Sequence, residues 1–318
     1  MDYDIIGDIH GQIGKLEALL KKLGYRIKDG AWRHPQGRMA LFLGDLVDRG
    51  PGQVEVLTIV RNMIEAGSGR SILGNHEWNA IGYASRDPDN GEWLRARSAN
   101  KTFQHKAFLE QVGIDSPLHK ELVTWFKTLP PFLDLGKVRA CHAWWNPESI
   151  ARVGAAVDGF GRLDESFMLK SFRKGSAPWA DMEAVTKGWE IRLPDGLTFL
   201  DPIGVERKDI RVRWWDGKAL DYRAAALVPD EERERIPDIP LPEGVKLGAV
   251  GNVPTFVGHY WLTGAPGVQS PTVAVLDFGA GKAGPLVAYR WDGEDVLSND
   301  KLVWVNQGGR QWPNQDLI

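Results

Sequence analysis

Three short apolar segments near the start of the chain are each followed by glycine and polar residues, and helical patterns separate them. The segments are YDII (3–6), MALFL (39–43) and RSIL (70–73). Between them, apolar residues recur at helical spacing in QIGKLEALLKKLGY and QVEVLTIVRNMIEAG. Strand, loop and helix in this repeated order predict βαβ units with a parallel sheet. Because sites in such sheets form beyond the carboxyl ends of the strands, the polar residues after the three segments should gather at one edge.

The remainder of the chain is less regular. The segment PLHKELVTWFKTLP (117–130) has the spacing of a helix, whereas we expect residues 80–115 to be irregular. Toward the C-terminus, PTFVGHYW, TVAVLDFGA, PLVAYRWDG and KLVWV follow one another closely and predict a mostly antiparallel sheet. No repeat or clear linker divides the chain. We therefore predict a single domain over residues 1–318, with an inserted cap region at about residues 147–250.

Composition excludes several classes of protein. With 43% hydrophobic and 25% charged residues, the chain is typical of a soluble globular protein, and its net charge of −3 predicts no strong binding to nucleic acid. No segment approaches the roughly 18 apolar residues of a membrane span, and the first residues leave no room for a secretion signal. A single cysteine, Cys141, excludes an internal disulfide. We expect a cytoplasmic protein that makes no membrane contact.

The polar side chains that end the apolar segments have the character of metal ligands. They are Asp8, His10, Asp45, Asp48, Arg49, Asn75, His76, Glu77, His142 and His259. Asp, His and Asn supply the oxygen and nitrogen ligands that first-row metals accept, and the near-absence of cysteine argues against thiolate-bound zinc. Two metals about 3.5–4 Å apart, bridged by a carboxylate such as Asp45, would suit in-line phosphoryl displacement. Arg49 could then bind phosphate oxygens, and His76, oriented by Asp48, could protonate the leaving oxygen.

Five motifs in this order resemble those of the calcineurin-like metallophosphoesterases. They are GDIHG (7–11), GDLVDRG (44–50), GNHE (74–77), CHA (141–143) and GHY (258–260). Because GDLVDRG contains both Asp48 and Arg49, the chain is most similar to the phosphoprotein phosphatase branch, which includes bacterial serine/threonine phosphatases and diadenosine tetraphosphatases. The similarity covers roughly residues 3–145 and 250–290. It implies an α/β four-layer sandwich of two mixed β-sheets flanked by helices.

The resemblance also implies individual roles. Asp8, His10 and Asp45 would hold one ion, while Asp45, Asn75, His142 and His259 would hold a second. Two divalent or transition-metal ions are expected, manganese first, with iron, zinc, nickel or cobalt as alternatives. A hydroxide bridging them would attack phosphorus directly. His76 would be the acid and Asp48 its partner, while Arg49, Asn75 and His76 would bind phosphate.

The chain departs from the family pattern at several positions. The eukaryotic protein phosphatases have arginine before GNHE, where this chain has Leu73, and two glycines after the fourth-motif histidine, where it has Ala143, Trp144 and Trp145. A second phosphate-binding arginine is expected in the cap, with Arg213 preferred over Arg211 and Arg223. Glu77 is expected to brace its loop. The other histidines, His34, His105 and His119, need no role beyond surface or helix-face placement.

These observations favour a bacterial phosphoesterase whose partner is a phosphorylated protein, small molecule or dinucleotide. The first expectation is a phosphate monoesterase. The alternative is a dinucleoside polyphosphate hydrolase or phosphodiesterase, which Trp144 and Trp145 would favour if they stack on a base. A catalytically silent binding module is a third possibility, but a scaffold has no need to place an imidazole and a guanidinium beside metals.

Overall fold

The computed structural model describes residues 1–201 and 204–306, so residues 307–318 of the predicted domain lie outside the described part. Its strands are short. They are β1 (Tyr3–Ile6), β2 (Arg26–Lys28), β3 (Ala31–Arg33), β4 (Met39–Phe42), β5 (Gly69–Ser71), β6 (Phe132–Asp134), β7 (Arg139–Cys141), β8 (Glu190–Arg192), β9 (Phe199–Leu200), β10 (Glu206–Arg207), β11 (Asp209–Arg211), β12 (Thr255–Val257), β13 (Val273–Val275), β14 (Leu286–Trp291) and β15 (Leu302–Val305).

The α-helices are α1 (Ile13–Leu23), α2 (Gln53–Glu65), α3 (Asn75–Ala84), α4 (Ala99–Gln104), α5 (Lys106–Val112), α6 (Pro117–Phe126), α7 (Pro147–Ala155), α8 (Glu165–Ser171), α9 (Ala177–Lys187) and α10 (Tyr222–Ala225). Local sequence sets several of their starts. Ser116, Asn146 and Ser176 each accept a hydrogen bond from a backbone N–H of the first turn, and proline follows in that turn. Among the described residues, no helix combines the length and apolar character that crossing a bilayer requires.

The first sheet has five strands in the order β15-β14-β1-β4-β5. Strand β1 lies at its centre, where Ile5 pairs in parallel with Leu41 and antiparallel with Tyr289. Strand β5 continues the parallel part beside β4. The predicted βαβ units are therefore confirmed, and the carboxyl ends of β1, β4 and β5 share one edge.

The second sheet has four strands in the order β13-β12-β7-β6. Strand β12 runs parallel to both β13 and β7, and β6 is antiparallel to β7. The prediction of a mostly antiparallel C-terminal sheet is therefore wrong for β12 and β13. It holds for β14 and β15, which join the first sheet instead. Apolar spacing locates strands but does not specify which strand each one pairs with.

The two sheets pack face to face between helical layers. One buried cluster draws Ile5 and Leu41 from the first sheet together with Phe256 and Ala274 from the second. The next residues along three of these strands, Ile6, Phe42 and Val275, belong to the larger cluster that includes the helices. Because successive side chains of a strand alternate between its faces, each sheet has one face toward the other sheet and one toward helices. The four-layer prediction is confirmed.

Residues 80–115, which we expected to be irregular, contain the second half of α3 and all of α4 and α5. Beyond them, residues 147–250 contain α7–α10 and two two-stranded pieces, β8 with β11 and β9 with β10. This region has a small apolar cluster of its own, which includes Ile191, Ile210, Val212 and Ile236. The division into a single domain with an inserted cap stays a prediction, and the term cap is used below for residues 147–250.

Candidate metal centre

Parallel strands of both sheets deliver the predicted ligands to one place. Asp8 follows β1, Asp45 follows β4 and Asn75 follows β5, all at the carboxyl edge of the first sheet. His142 and His259 follow β7 and β12, which run parallel in the second sheet. Loops that are up to 251 positions apart in the chain therefore meet, and His259 donates its backbone N–H to Asp8 Oδ2 over 2.9 Å.

Asp45 lies between two groups of ligand atoms. Its Oδ2 is 3.6 Å from His10 Nε2 and 3.8 Å from His76 Nε2, while its Oδ1 is 3.3 Å from His142 Nε2. Within each group, one with His10 and His76 and the other with His142 and His259, the ligand atoms lie within 4.8 Å of one another. A carboxylate shared by two clusters is the arrangement that a pair of bridged cations needs.

Backbone carbonyls fix the orientation of two of the imidazoles. His10 Nδ1 lies 2.9 Å from Val47 O, and His142 Nδ1 lies 2.7 Å from Leu43 O, so each Nδ1–H has an acceptor. The Nε2 atom of each ring then faces Asp45. Carbonyls that bind the second nitrogen in this way orient histidine ligands at metal sites.

Several buried ligand atoms lack a hydrogen-bond partner among the described residues. Asp8 Oδ1 and His259 Nε2 are both in this position. Asn75 Oδ1 lies 3.0 Å from His142 Nε2 and 2.7 Å from His259 Nδ1. A Cβ atom on Gly258 would lie 1.9 Å from Asp8 Oδ1, so only glycine fits there. Because unpartnered buried polar atoms are costly, these residues fit bound cations.

The backbone of the site is held in an uncommon conformation. Eight non-glycine residues of the described chain have positive φ angles between 48° and 71°, and six of them belong to this site. The six are His10, Asp45, Asp48, Arg49, Trp261 and His259. Left-handed geometry costs an L-residue about 1–2 kcal/mol, and such strain concentrates at functional sites. Glu77 offsets part of that cost, because it accepts backbone N–H groups from Gly74, Asp45 and Leu46 at 2.8–3.0 Å.

The charges of the site favour a cation between its carboxylates. Burial opposes ionisation of Asp45, yet His142 and His76 lower its pKa well below the ordinary value. Burial alone would lower the pKa of His142, but the neighbouring carboxylates of Asp45 and Asp8 raise it to about 10. The pKa values of His10 and His259 are lowered, chiefly by burial, which favours the neutral imidazole that binds metals.

His76 has a different environment from the other histidines. Its Nδ1 lies 2.5 Å from Asp48 Oδ2, and a second imidazole, His105 Nδ1, lies 2.7 Å from Asp48 Oδ1. Burial would lower the pKa of His76, but Asp45 and Asp48 raise it above the ordinary value. With Nδ1 engaged, Nε2 is the atom that can deliver a proton toward the metal ligands.

Arg49 is exposed, and its guanidinium carbon lies 4.5 Å from the ring centroid of Trp261. Lys282 Nζ lies 4.2 Å from the same ring. The indole ring of Trp261 therefore makes cation–π contacts with two positively charged side chains, which lie beside His10 and Asp45. Among the described residues, Arg49 forms no ion pair that would neutralise its charge. A free guanidinium in this position is available to phosphate oxygens.

The preferred cap arginine, Arg213, is not brought to the site. Its backbone N–H donates to Ala225 O, and the charges that act on its side chain come from Arg233, Asp216 and Asp230, all within the cap. Arg211, another of the candidates, is the arginine whose charge acts on His259. Strand β11 ends at Arg211, so the two arginines do not continue one strand face, and that boundary was not visible in the sequence.

The two tryptophans after His142 have different environments. Trp145 is buried against Phe132, so it belongs to the core rather than to a binding surface. Trp144 is half-buried and stacks on Trp189 of the cap, with ring centroids 4.5 Å apart and planes at 8°. Trp189 neighbours Glu190, which faces Arg211 across the β8–β11 pair. One loop residue and one cap residue thus form an aromatic surface close to His142.

Four residues near the site escaped the sequence interpretation. Asp277 is buried beyond β13 and its charge raises the pKa of Asp8; it ends an apolar run, the signal that located the ligands. His105 lies 57 positions from Asp48 in a segment without periodicity, so no pattern pointed to it. Trp261 and Trp189 are large aromatic residues without a polar signature.

The N-terminal half of the chain, residues 1–157, matches the family model described as Calcineurin-like phosphoesterase. The match assigns residues 1–157 to that family, and the metal-ligand geometry described above agrees with it. A curated relative, the asymmetrical bis(5'-nucleosyl)-tetraphosphatase PrpE of Bacillus subtilis strain 168, is 50% identical over 164 residues. That match covers 50% of this chain and 64% of the relative, less than two thirds of its length.

Further similar proteins have related descriptions. PrpE of Bacillus thuringiensis strain Al Hakam is 44% identical over 169 residues, which cover 50% of this chain and 64% of that protein. Among solved structures, one described as a putative diadenosine tetraphosphatase has a TM-score of 0.46 at 18% identity and covers 97% of this chain and 95% of its own. A serine/threonine phosphatase from Saccharomyces cerevisiae has a TM-score of 0.47 at 15% identity, covering 99% and 82%.

Proposed function

We propose that this phosphoesterase hydrolyses dinucleoside polyphosphates asymmetrically. The sequence interpretation gave a dinucleoside polyphosphate hydrolase as its alternative and a phosphate monoesterase as its first expectation. The observation that carries the proposal is the stack of Trp144 on Trp189 next to His142, since a half-buried indole surface suits a nucleobase and serves no purpose for a bare phosphate. The names of the Bacillus relatives support the same substrate class.

Two ions would be held by the residues whose ligand atoms converge. Asp8, His10 and Asp45 would hold one, and Asp45, Asn75, His142 and His259 the other. By distance, His76 belongs to the first cluster, but its Nδ1 is hydrogen-bonded to Asp48. We therefore assign Asp8, whose Oδ1 has no partner among the described residues, as the third ligand of that cluster instead of His76. When bound, the ions would supply Lewis acidity toward phosphoryl oxygens and toward water. Manganese is our first choice because the set combines carboxylate, amide and imidazole ligands and lacks thiolate.

The chain's own residues then perform the remaining steps. Arg49 binds oxygens of the reacting phosphate, and Arg211 is the proposed second arginine because its charge reaches His259. Water forms a new P–O bond as the bridging P–O bond breaks, and His76 Nε2 gives its proton to the departing oxygen. Asp48 holds Nδ1 so that the ring keeps its orientation. A bacterial origin and a cytoplasmic location stay predictions.

A substrate panel with product analysis tests the proposal. Enzyme reconstituted with each candidate metal, and a chelated control, would receive diadenosine tetraphosphate, a phosphoserine peptide, a phosphotyrosine peptide, p-nitrophenyl phosphate and its bis ester. We expect diadenosine tetraphosphate to have the highest kcat/KM and to give ATP with AMP. Preference for a phosphopeptide would restore the monoesterase expectation, and two molecules of ADP would refute asymmetrical cleavage.

A further inference from the structure

Helix α3 has one open face, and that face contains the candidate ligand and acid. Asn75, His76 and Asn79 are half-buried, while Glu77, Trp78 and Ala80 between and beside them are buried. Residues four apart lie on one side of a helix, and helical side chains lean toward the N-terminus. Asn79 therefore leans over the turn that contains Asn75 and His76.

Arg95 is bound to this face. Its Nη1 donates to Asn79 Oδ1 over 2.7 Å, and its Nη2 donates to Gln104 Oε1 over 3.2 Å. Both acceptors are neutral, and no carboxylate of the described residues lies within ion-pair distance of Arg95. Arg97, two positions along, illustrates the contrast, because Asp115 binds it through two hydrogen bonds of 2.7 and 2.8 Å.

The guanidinium of Arg95 is partly buried, and among the described residues no carboxylate contacts it to offset the energetic cost of that burial. Burial lowers its pKa, and the carboxylates that counter this effect, Asp48 and Glu183, act from beyond contact distance. Burial and the charge of Arg95 lower the pKa of Lys101, so a second cation lies near Arg95. An unpaired cation that is partly removed from water gains from an anionic partner supplied by a ligand.

We propose that Arg95 binds the phosphates of a nucleoside polyphosphate that lie beyond the reacting one. This proposal rests on the proposed function and adds a specificity-determining residue to it. A monoester has only the reacting phosphate, so Arg95 distinguishes the two substrate classes. Arg49 contacts Trp261, whereas Arg95 is bound to Asn79, and we therefore assign the two guanidinium groups to different phosphates.

The test uses p-nitrophenyl phosphate as the reporter substrate and two inhibitors, inorganic tripolyphosphate and orthophosphate, at constant free metal. Arg95→Gln should raise the inhibition constant of tripolyphosphate about tenfold, because one charge-assisted contact is lost. The constant for orthophosphate and the kinetics with p-nitrophenyl phosphate should stay unchanged. Arg61→Gln, which removes an exposed guanidinium paired with Glu65 and Glu121, is the matched charge control.

Equal weakening of both inhibitors, or none, would overturn the role of Arg95. This assay does not depend on the cleavage of any dinucleotide, so failure of the subsite is separable from failure of the proposed function. If wild-type enzyme does cleave diadenosine tetraphosphate, Arg95→Gln should raise its KM with little change in kcat. Arg95→Lys keeps the positive charge but loses the planar guanidinium group, so its KM should lie between those of the wild-type enzyme and Arg95→Gln.

A second, independent observation concerns His105. This histidine lies between α4 and α5, its side chain is 7% exposed, and its ring packs against Phe108 with centroids 4.9 Å apart. Its Nδ1 is hydrogen-bonded to Asp48 Oδ1 over 2.7 Å, and the other carboxylate oxygen, Oδ2, is therefore available to bind His76. The backbone N–H of Asp48 is bound to Gln53 Oε1 at 2.7 Å, so both the main chain and the carboxylate are fixed.

We infer that His105 is a positioning residue, which acts on the departing oxygen only through Asp48 and His76. Without its donor, the Asp48 carboxylate could rotate and the acid would lose its fixed direction. His105→Leu should lower kcat about tenfold for phenyl phosphate, whose leaving group needs a proton, and little for p-nitrophenyl phosphate. His105→Asn, whose amide replaces Nδ1–H, should restore most of the rate. Equal losses with both substrates, or no rescue by Asn, would assign His105 a purely structural role.

Discussion

The assignment of His76 as the acid, rather than as a third ligand of the first cluster, makes the sharpest prediction. Its Nε2 lies 3.8 Å from Asp45 Oδ2, a distance at which a shared metal is geometrically acceptable. Its Nδ1, however, is 2.5 Å from Asp48 Oδ2, and that carboxylate raises the pKa of the ring. The carboxylate at Nδ1 stabilises the protonated form of the His76 ring, and that form can donate a proton from Nε2.

The two roles predict different dependence on the leaving group. A positioned general acid contributes roughly 10²–10⁴-fold, or about 3–5 kcal/mol, when the departing oxygen needs a proton. His76→Ala should therefore lower kcat by this amount for an alkyl phosphate. It should lower kcat much less for p-nitrophenyl phosphate, because a stabilised phenolate leaves without a proton. Metal content should stay at the wild-type level.

The assay combines steady-state rates over a series of aryl and alkyl phosphates with elemental analysis of the purified variant. His34→Ala, which removes a histidine near Arg290 and the C-terminal end of α1, serves as the control. A uniform loss across the series together with loss of one ion would refute the acid assignment and make His76 a ligand. Normal turnover of the alkyl phosphate would refute both roles.

The remaining predictions concern the ligands, the loop brace and the aromatic surface. Asp45→Asn should lose bound metal and hydrolysis of every substrate, because both clusters share this carboxylate, and chelation of the wild-type enzyme should have the same effect until metal is returned. Gly258→Ala should lower metal affinity while circular dichroism stays native, since its Cβ would displace Asp8 Oδ1; unchanged affinity would contradict the ligand role of Asp8. Glu77→Ala leaves four buried N–H groups without an acceptor and should reduce the free energy of unfolding by about 3–5 kcal/mol in urea titrations, whereas a loss below 1 kcal/mol would contradict the brace. Trp189→Ala should raise KM about tenfold for diadenosine tetraphosphate but leave p-nitrophenyl phosphate unaffected, and a parallel change in both would remove the nucleobase role.

Much of the fold and of the candidate site could be predicted because the ligands share one local signal. Asp8, Asp45, His142 and His259 each follow a short apolar strand, and the carboxyl ends of parallel strands meet. The signal is local, so it needed no knowledge of strand pairing. The parallel pairing of β12 escaped prediction for the complementary reason, since partners are chosen by the whole sheet.

The cap was the least predictable part of the site. Arg211 and Arg213 have the same spacing from each other as neighbours on one strand face, but β11 ends at Arg211, and the charges that act on Arg213 come from within the cap. His105 contacts Asp48 through a segment of short helices whose placement depends on packing against Tyr83 and Phe108. Residues that act through long-range packing leave no mark in a single sequence.

The stack of Trp144 on Trp189 connects the central sandwich with the cap, and these two parts of the chain contribute different residues to the site. The cap contributes Trp189 and Arg211 but none of the residues assigned to the cations, which all come from the strand ends of the central sandwich. The cap, together with residues outside it such as Trp144 and Arg95, therefore shapes the surroundings of a site whose candidate metal ligands all lie outside the cap. We therefore expect substitutions at Trp189 or Arg211 to change which compounds bind, while the residues assigned to the cations remain in place.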